Sequence, residues 1–237
     1  RDCGGFPLGP CQLMDLIGLD VNLSVTQSVY EATAFDPRYA PSLLQQELVR
    51  AGKLGRKSGE GFYIYPVGDK DLESSNINKK HELGSFTLGY IKSSGIQSLI
   101  DRLSDTGADL IETAAGSTIA TIALTDGRTA TQRASDESIS NLVLIDLCIN
   151  FQTTKRVALS HAEQCDSIAI DQIVNALTNM GCKVTIIQDV AGMIVSRTVA
   201  MLANEAADLV HQRITTPKEV DMAMTLGTGY PLGPLLW

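Results

Sequence analysis

Apolar residues recur at helical spacing at both ends of this 237-residue chain, whereas its middle carries short apolar runs broken by turns. Near the start, Leu13, Leu16 and Ile17 share one face of a helix that Pro10 opens and Gly18 stops. Asp20 is placed to cap a second helix, in which Val21, Val25, Val29 and Ala32 keep the period. Pro41 opens a third, with Leu44, Leu48 and Ala51 in register and Gly52 closing it. A basic, glycine-rich turn, Lys53 to Gly61, then runs into the aromatic Phe62-Tyr63-Ile64-Tyr65, a short strand or tail. At the other end, Val195, Val199, Leu202, Ala206 and Leu209 form an apolar stripe about four turns long. Thr216-Pro217-Lys218-Glu219 is a capping box with proline at the first helical position, opening a helix that Gly227 ends.

The middle alternates. Phe86–Ile91 and Ala108–Thr113 are strand candidates around a helical stripe of Ile96, Leu99, Ile100 and Leu103. Thr118–Thr125 and Arg128–Arg133 flank Asp126-Gly127, which predicts a two-residue hairpin. Leu142–Leu147 is the continuous apolar run of a buried parallel strand. A strand at Val157–Ser160, a helix carrying Ile170 to Met180 and closed by Gly181, and a strand at Lys183–Gln188 follow. The expected organisation is a helical segment over 1–66, a polar linker over 67–84, an α/β domain over 85–188 and a second helical segment over 189–237.

One repeat stands out. Gly5-Phe6-Pro7-Leu8-Gly9-Pro10 returns as Gly229-Tyr230-Pro231-Leu232-Gly233-Pro234. Two unrelated turns are the plainer reading; six matched positions favour a true repeat. The first copy then lacks its beginning and the second its end, and a fragment is expected. On the same ground, 189–237 is expected to pack against 1–66 as a composite unit.

Composition narrows the function. With 19 basic and 27 acidic residues, a net charge of -8 speaks against a nucleic-acid binder. Cys3, Cys11, Cys148, Cys165 and Cys182 show neither a CxxC pair nor metal-ligand spacing, and read as free thiols of a reducing compartment. No apolar stretch approaches the roughly 20 residues that span a bilayer, and no signal peptide is evident. The cytoplasm is expected, and no metal.

Candidate chemistry is sparse. The turn Gly89-Tyr90-Ile91-Lys92-Ser93-Ser94-Gly95 stands where a dinucleotide-binding fold keeps its glycines, but Tyr90 and Lys92 fill the space. Glu112, at the end of the next strand, is read as an exposed carboxylate rather than a ribose ligand. Among His81, His161 and His211, the best general-base position is His161, because strand ends face α/β clefts. Arg56 and Lys57, flanked by glycines, suit an anion such as a phosphate, or are simply an exposed basic turn.

Phe6 to Val21, with Pro7-Leu8-Gly9-Pro10, Leu13, Asp15 and Gly18-Leu19-Asp20, resembles the C-terminal helical domain of 3-hydroxyacyl-CoA dehydrogenases. Lys53 to Tyr63 matches that family's Lys-x-Gly-x-Lys-x-Gly-x-Gly-Phe-Tyr run, and Asp189 to Arg197 its helix-opening run. The resemblance implies helical units, like the C-terminal domain of 6-phosphogluconate dehydrogenase, flanking a reduced Rossmann-like α/β domain. It is closest to bacterial members with two such units, including those of phenylacetate and butanoyl-CoA metabolism. It implies oxidation of a 3-hydroxyacyl-CoA to the 3-oxoacyl-CoA with reduction of NAD, a homodimer, and an acyl-CoA partner but no nucleic acid or membrane. The family's catalytic His, Glu, Ser and Asn would all precede residue 1. Ser196 stands in place of the Asn and Ala191 in place of a Pro, and Leu147 to Phe151 carries no His, so no catalytic residue is expected here. Lys57 takes the position of a family contact to NAD. Leu8, Pro10 and Leu13 are assigned to the acyl pocket, although Leu13 by itself reads first as a core residue. The alternative is a non-catalytic acyl-CoA-binding or assembly module of the same fold.

Overall fold

The computed structural model describes residues 1–65 and 86–237; the linker read over 67–84, with His81, lies outside the described residues. The chain divides into two compact units. The first holds Arg1 and residues 7–65 of the described chain, the second residues 2–6 and 86–237.

In the first unit, α1 (Pro10–Ile17) begins on its proline, and Gly18, at φ +101°, turns the chain directly into α2 (Leu19–Ala32). Asp20 therefore lies inside the first turn of α2 and is not its side-chain cap. The third helix, α3 (Leu43–Arg50), follows Ser42, and its register differs from the expected one. Leu44 is exposed, whereas Gln45 is buried and donates to Asn22 Oδ1 on α2 at 2.6 Å.

The second unit is built on a six-stranded sheet in the order β2-β1-β3-β4-β5-β6. Its strands are β1 (Thr87–Tyr90), β2 (Asp109–Glu112), β3 (Thr121–Leu124), β4 (Leu142–Ile145), β5 (Arg156–His161) and β6 (Lys183–Ile186). The first four are mutually parallel; β5 runs antiparallel to β4, and β6 parallel to β5. Helices α4 (Gln97–Ser104) and α6 (Ser167–Asn179) cover one face, where Leu99, Leu103, Ile173 and Leu177 meet Ile122, Val143, Ile145 and Leu159. On the other face α5 (Ala130–Asp136) packs Ala130 and Ala134 against Ala123, Leu142 and Leu144. Covering on both faces explains why β4 reads as an unbroken apolar run.

The hairpin expected at Asp126-Gly127 is absent: these residues lead from β3 into α5, which Thr129 caps through Gln132 N. Gly127 does adopt the positive φ (+98°) that an Asp-Gly turn needs, but here it redirects a strand into a helix. Asp189 accepts from Ala130 N at 2.7 Å and Thr131 N at 2.8 Å, fastening the same helix start.

Two long helices complete the unit. In α7 (Val195–His211), Val199 and Ala206 are the buried positions of the expected stripe. The capping box of α8 (Pro217–Thr228) is present, and the helix runs one residue past Gly227 to close on Gly229. Residues 2–6 lie against this unit: Asp2 pairs with Arg156, and Cys3 O accepts from Ile149 N. Phe6 stands edge-on to Tyr230 at 5.1 Å and stacks on Trp237 at 6.3 Å, so the aromatic positions of the two repeated turns touch.

Candidate functional site

The Lys53–Tyr65 turn is fixed by a residue distant in sequence. Asp15, on the buried side of α1 and 1% exposed, accepts from Phe62 N at 2.9 Å, Tyr63 N at 3.0 Å and the Tyr65 hydroxyl at 3.0 Å. Glycine is required at two points of contact. A Cβ on Gly55 would come within 2.4 Å of Asp15 O, and one on Gly61 within 2.2 Å of Asp15 Oδ1. Burial of a carboxylate is tolerated here because its oxygens meet three donors. Sequence reasoning passed over this role, although Asp15 belongs to the motif and is a polar residue next to the apolar positions of α1.

The pinned turn presents its cations, each already engaged. Lys57 Nζ pairs with Asp20, and both side chains are more than 40% exposed. Lys53 Nζ meets Glu60 at 2.6 Å. The Arg56 guanidinium lies 5.5 Å from the centre of the Tyr65 ring. The hydrogen bond from Lys57 holds the Asp20 carboxyl below its ordinary range, outweighing partial desolvation. Close to half of the Lys57 side chain still faces solvent.

The other predicted residues are dispersed. Leu8 is half-buried and Pro10 is the exposed first residue of α1. Leu13 is 44% exposed, so within this chain it is not the core residue its spacing suggests; α1 buries Asp15 instead. His161 ends β5, but β5 is antiparallel to β4 and pairs His161 with Val143, at the start of that strand. It therefore stands at the sheet edge opposite the C-terminal strand ends where α/β sites open, with Nδ1 3.1 Å from Ala162 O. His211 sits in the last turn of α7, where a cation suits the helix dipole.

At the C-terminal edge of the parallel strands the chemistry is structural. Lys92, after β1, pairs with Glu112, the last residue of β2, at 3.5 Å. A Cβ on Gly89 would meet Thr113 and Thr121 side chains within 2.8 Å, and one on Gly95 would meet Leu124 at 2.7 Å. These glycines accommodate neighbouring side chains, and the turn does not fit a pyrophosphate approaching the backbone. After β4, the buried Asp146 accepts from Ile194 N, Val195 N and Ser196 N at 2.8–3.0 Å, capping α7. No disulfide joins the five cysteines. Burial pushes the Cys3 thiol up to about 12 and Cys165 up to about 11, far from a nucleophilic thiolate. Among the described residues no cluster of His, Cys, Asp or Glu could hold a metal ion, and no helix is long and apolar enough to cross a membrane.

Sequence reasoning also missed an open apolar groove of about 610 Å³ on α8, lined by Pro217, Lys218, Met222, Leu226, Leu235 and Leu236.

Comparison with known proteins matches this architecture. The profile of the 3-hydroxyacyl-CoA dehydrogenase C-terminal domain matches residues 1–65 and 192–237. That of the 3-hydroxybutyryl-CoA dehydrogenase reduced Rossmann-fold domain matches residues 122–190. The 3-hydroxyadipyl-CoA dehydrogenase of Escherichia coli K12 is 37% identical over 243 residues, covering 100% of this chain and 45% of that protein. Human mitochondrial hydroxyacyl-coenzyme A dehydrogenase is 41% identical over 61 residues, 26% of this chain and 19% of that protein. The crystal structure of 3-hydroxybutyryl-CoA dehydrogenase from Escherichia coli K12 superposes with a TM-score of 0.74 at 32% identity, over 100% of this chain and 45% of that one. This chain thus spans less than half the length of these relatives. The helical units with their Asp15-pinned turn and the reduced Rossmann-like sheet agree with these matches, and the chain belongs to the 3-hydroxyacyl-CoA dehydrogenase family.

Proposed function

We propose that this chain supplies the C-terminal elements of an NAD-dependent dehydrogenase that oxidises a 3-hydroxyacyl-CoA to the 3-oxoacyl-CoA, and that it does not turn over alone. The observation that carries this reading is the Lys53–Tyr65 turn, pinned by Asp15 so that Lys57 projects beside Asp20. Lys57 is assigned as a contact to NAD, which accepts the hydride when bound. Leu8, Pro10 and Leu13 are assigned to the acyl side of the substrate site. The apolar faces of α1 and α2, with Leu16, Ile17, Val21 and Val25 exposed, support pairing of two copies. The substrate is an acyl-CoA of phenylacetate or butanoyl-CoA metabolism, the setting the cytoplasm.

Inactivity in isolation is supported by the chemistry of the described residues. His161 lies on the wrong edge of the sheet, His211 ends α7, and Asp146 is committed to capping. The test is acetoacetyl-CoA-dependent oxidation of NADH by the purified 237-residue chain. No turnover above background is expected; robust turnover would place catalytic groups within these residues and overturn the reading.

A second reading, a non-catalytic acyl-binding or assembly module, is favoured by the apolar groove on α8. The gene upstream of residue 1 discriminates: a strand–turn–helix with a GxGxxG turn supports the dehydrogenase.

A further inference from the structure

The turn bearing Lys57 has the composition of a phosphate site but not the arrangement of one. A phosphate is held by cations that converge on it with donors to spare. Here Lys53 is neutralised by Glu60, Lys57 by Asp20, and Arg56 is laid over Tyr65. The Asp20–Lys57 pair is also seated closely. Gly18 forms its floor, where an added Cβ would lie 3.0 Å from Lys57 Nζ and 3.1 Å from Asp20 Oδ1. Asp20 is held on the first turn of α2 and Lys57 on the Asp15-pinned turn, so neither backbone needs to move for the pair to form.

We infer that this pair is selective for an uncharged hydroxyl group and excludes phosphate, with Asp20 as the residue that sets the selectivity. The inference rests on the reading of Lys57 as a cofactor contact and names the part of the ligand that it meets. A hydroxyl satisfies both partners at once, accepting from the ammonium and donating to the carboxylate. The phosphates of a dinucleotide carry no proton at neutral pH and can only accept. One of them would have to displace Asp20 or lie against it, carboxylate facing phosphate, while Lys53 is held by Glu60 and Arg56 lies over the Tyr65 ring. Lys57 accordingly meets a sugar hydroxyl of the dinucleotide, and the pyrophosphate lies elsewhere.

The test follows acetylation of Lys57 by an N-hydroxysuccinimide ester, resolved by peptide mass spectrometry, at low ionic strength. Wild type, Asp20→Asn and Asp20→Ser are compared, each checked by its thermal melt. Inorganic pyrophosphate is expected to leave labelling of the wild type unchanged and to slow it roughly threefold in both variants, the scale of one exposed charge pair. Equal slowing in wild type and variants, or slowing in none of them, overturns the selectivity. NADH provides a separate arm, run on the full-length protein so that the dinucleotide-binding segment proposed upstream of residue 1 is present: it is expected to slow labelling of Lys57. Failure there removes Lys57 as a cofactor contact, whereas failure of the pyrophosphate contrast removes only the role of Asp20.

Discussion

The sheet of the second unit and the helices of the first are held in different ways. Ile122, Leu144 and Leu159 are fully buried, and both faces of the sheet are covered. In the first unit Leu13, Leu16, Ile17, Val21 and Val25 are all between 44 and 56% exposed, while Asp15 and Gln45 are buried and hydrogen-bonded. One region is organised by apolar burial, the other by a few polar anchors beneath an apolar surface. The contrast shows why the turn that carries Lys57 is well defined on so little core: a carboxylate with three donors fixes a loop as firmly as several methyl groups.

The contrast is sharpest where large apolar side chains are cut back. Ile122→Ala is expected to cost about 3 kcal/mol in chemical denaturation, the usual loss for a fully buried residue. Val25→Ala, at a position 56% exposed, should stay within about 0.5 kcal/mol. Equal losses would erase the distinction. Next comes the polar anchor. Asp15→Ala strands Phe62 N, Tyr63 N and the Tyr65 hydroxyl, and should cost the first unit about 2–3 kcal/mol. Hydrogen exchange reads it directly: the Phe62 and Tyr63 amides should lose protection while β4 keeps its own.

Asp146→Ala should cost a similar amount, about 2–3 kcal/mol, because a buried carboxylate is taken from three backbone N–H groups at the start of α7 while the sheet core stays intact. Faster exchange should be confined to the first turn of α7; loss of protection throughout β3 and β4 would show that the carboxylate supports the sheet as well. The least effect concerns Glu219 in the α8 capping box. Its pKa is lowered, first by the backbone N–H of Thr216 and then by the hydroxyls of Thr216 and Thr215. The cap therefore contributes fully above the ordinary carboxylate range and is lost as the pH falls through the lowered value. Amide exchange along the first turn of α8 should rise in that acid window and not near neutrality.

Much of this was legible in local signals. Pro10 at the start of α1, the capping box of α8 and the unbroken Leu142–Ile145 run each rest on chemistry within a few residues, and each found its element, whereas Pro41 precedes the start of α3 by two residues. What escaped were choices settled at a distance. Asp126-Gly127 supplies the same positive-φ turn whether a strand or a helix follows, and the helix is fixed by Asp189, about 60 residues away. The direction of β5 decides where His161 lies, and nothing near residue 161 encodes it. Asp20 has a good capping side chain, but Gly18 starts α2 earlier and leaves that carboxylate to Lys57. The motif pointed to Lys57 and contained Asp15, but which carboxylate holds the turn and which meets the ammonium became readable only in three dimensions.

The stacking of Phe6 on Trp237 has an optical consequence. Trp237 is the only tryptophan of the chain. Its emission therefore reports the clasp between residue 6 and residues 230–237, not the sheet interior, which contains no indole. A fluorescence melt of this protein would record the release of that clasp, and could be complete while circular dichroism still shows β3 and β4 intact.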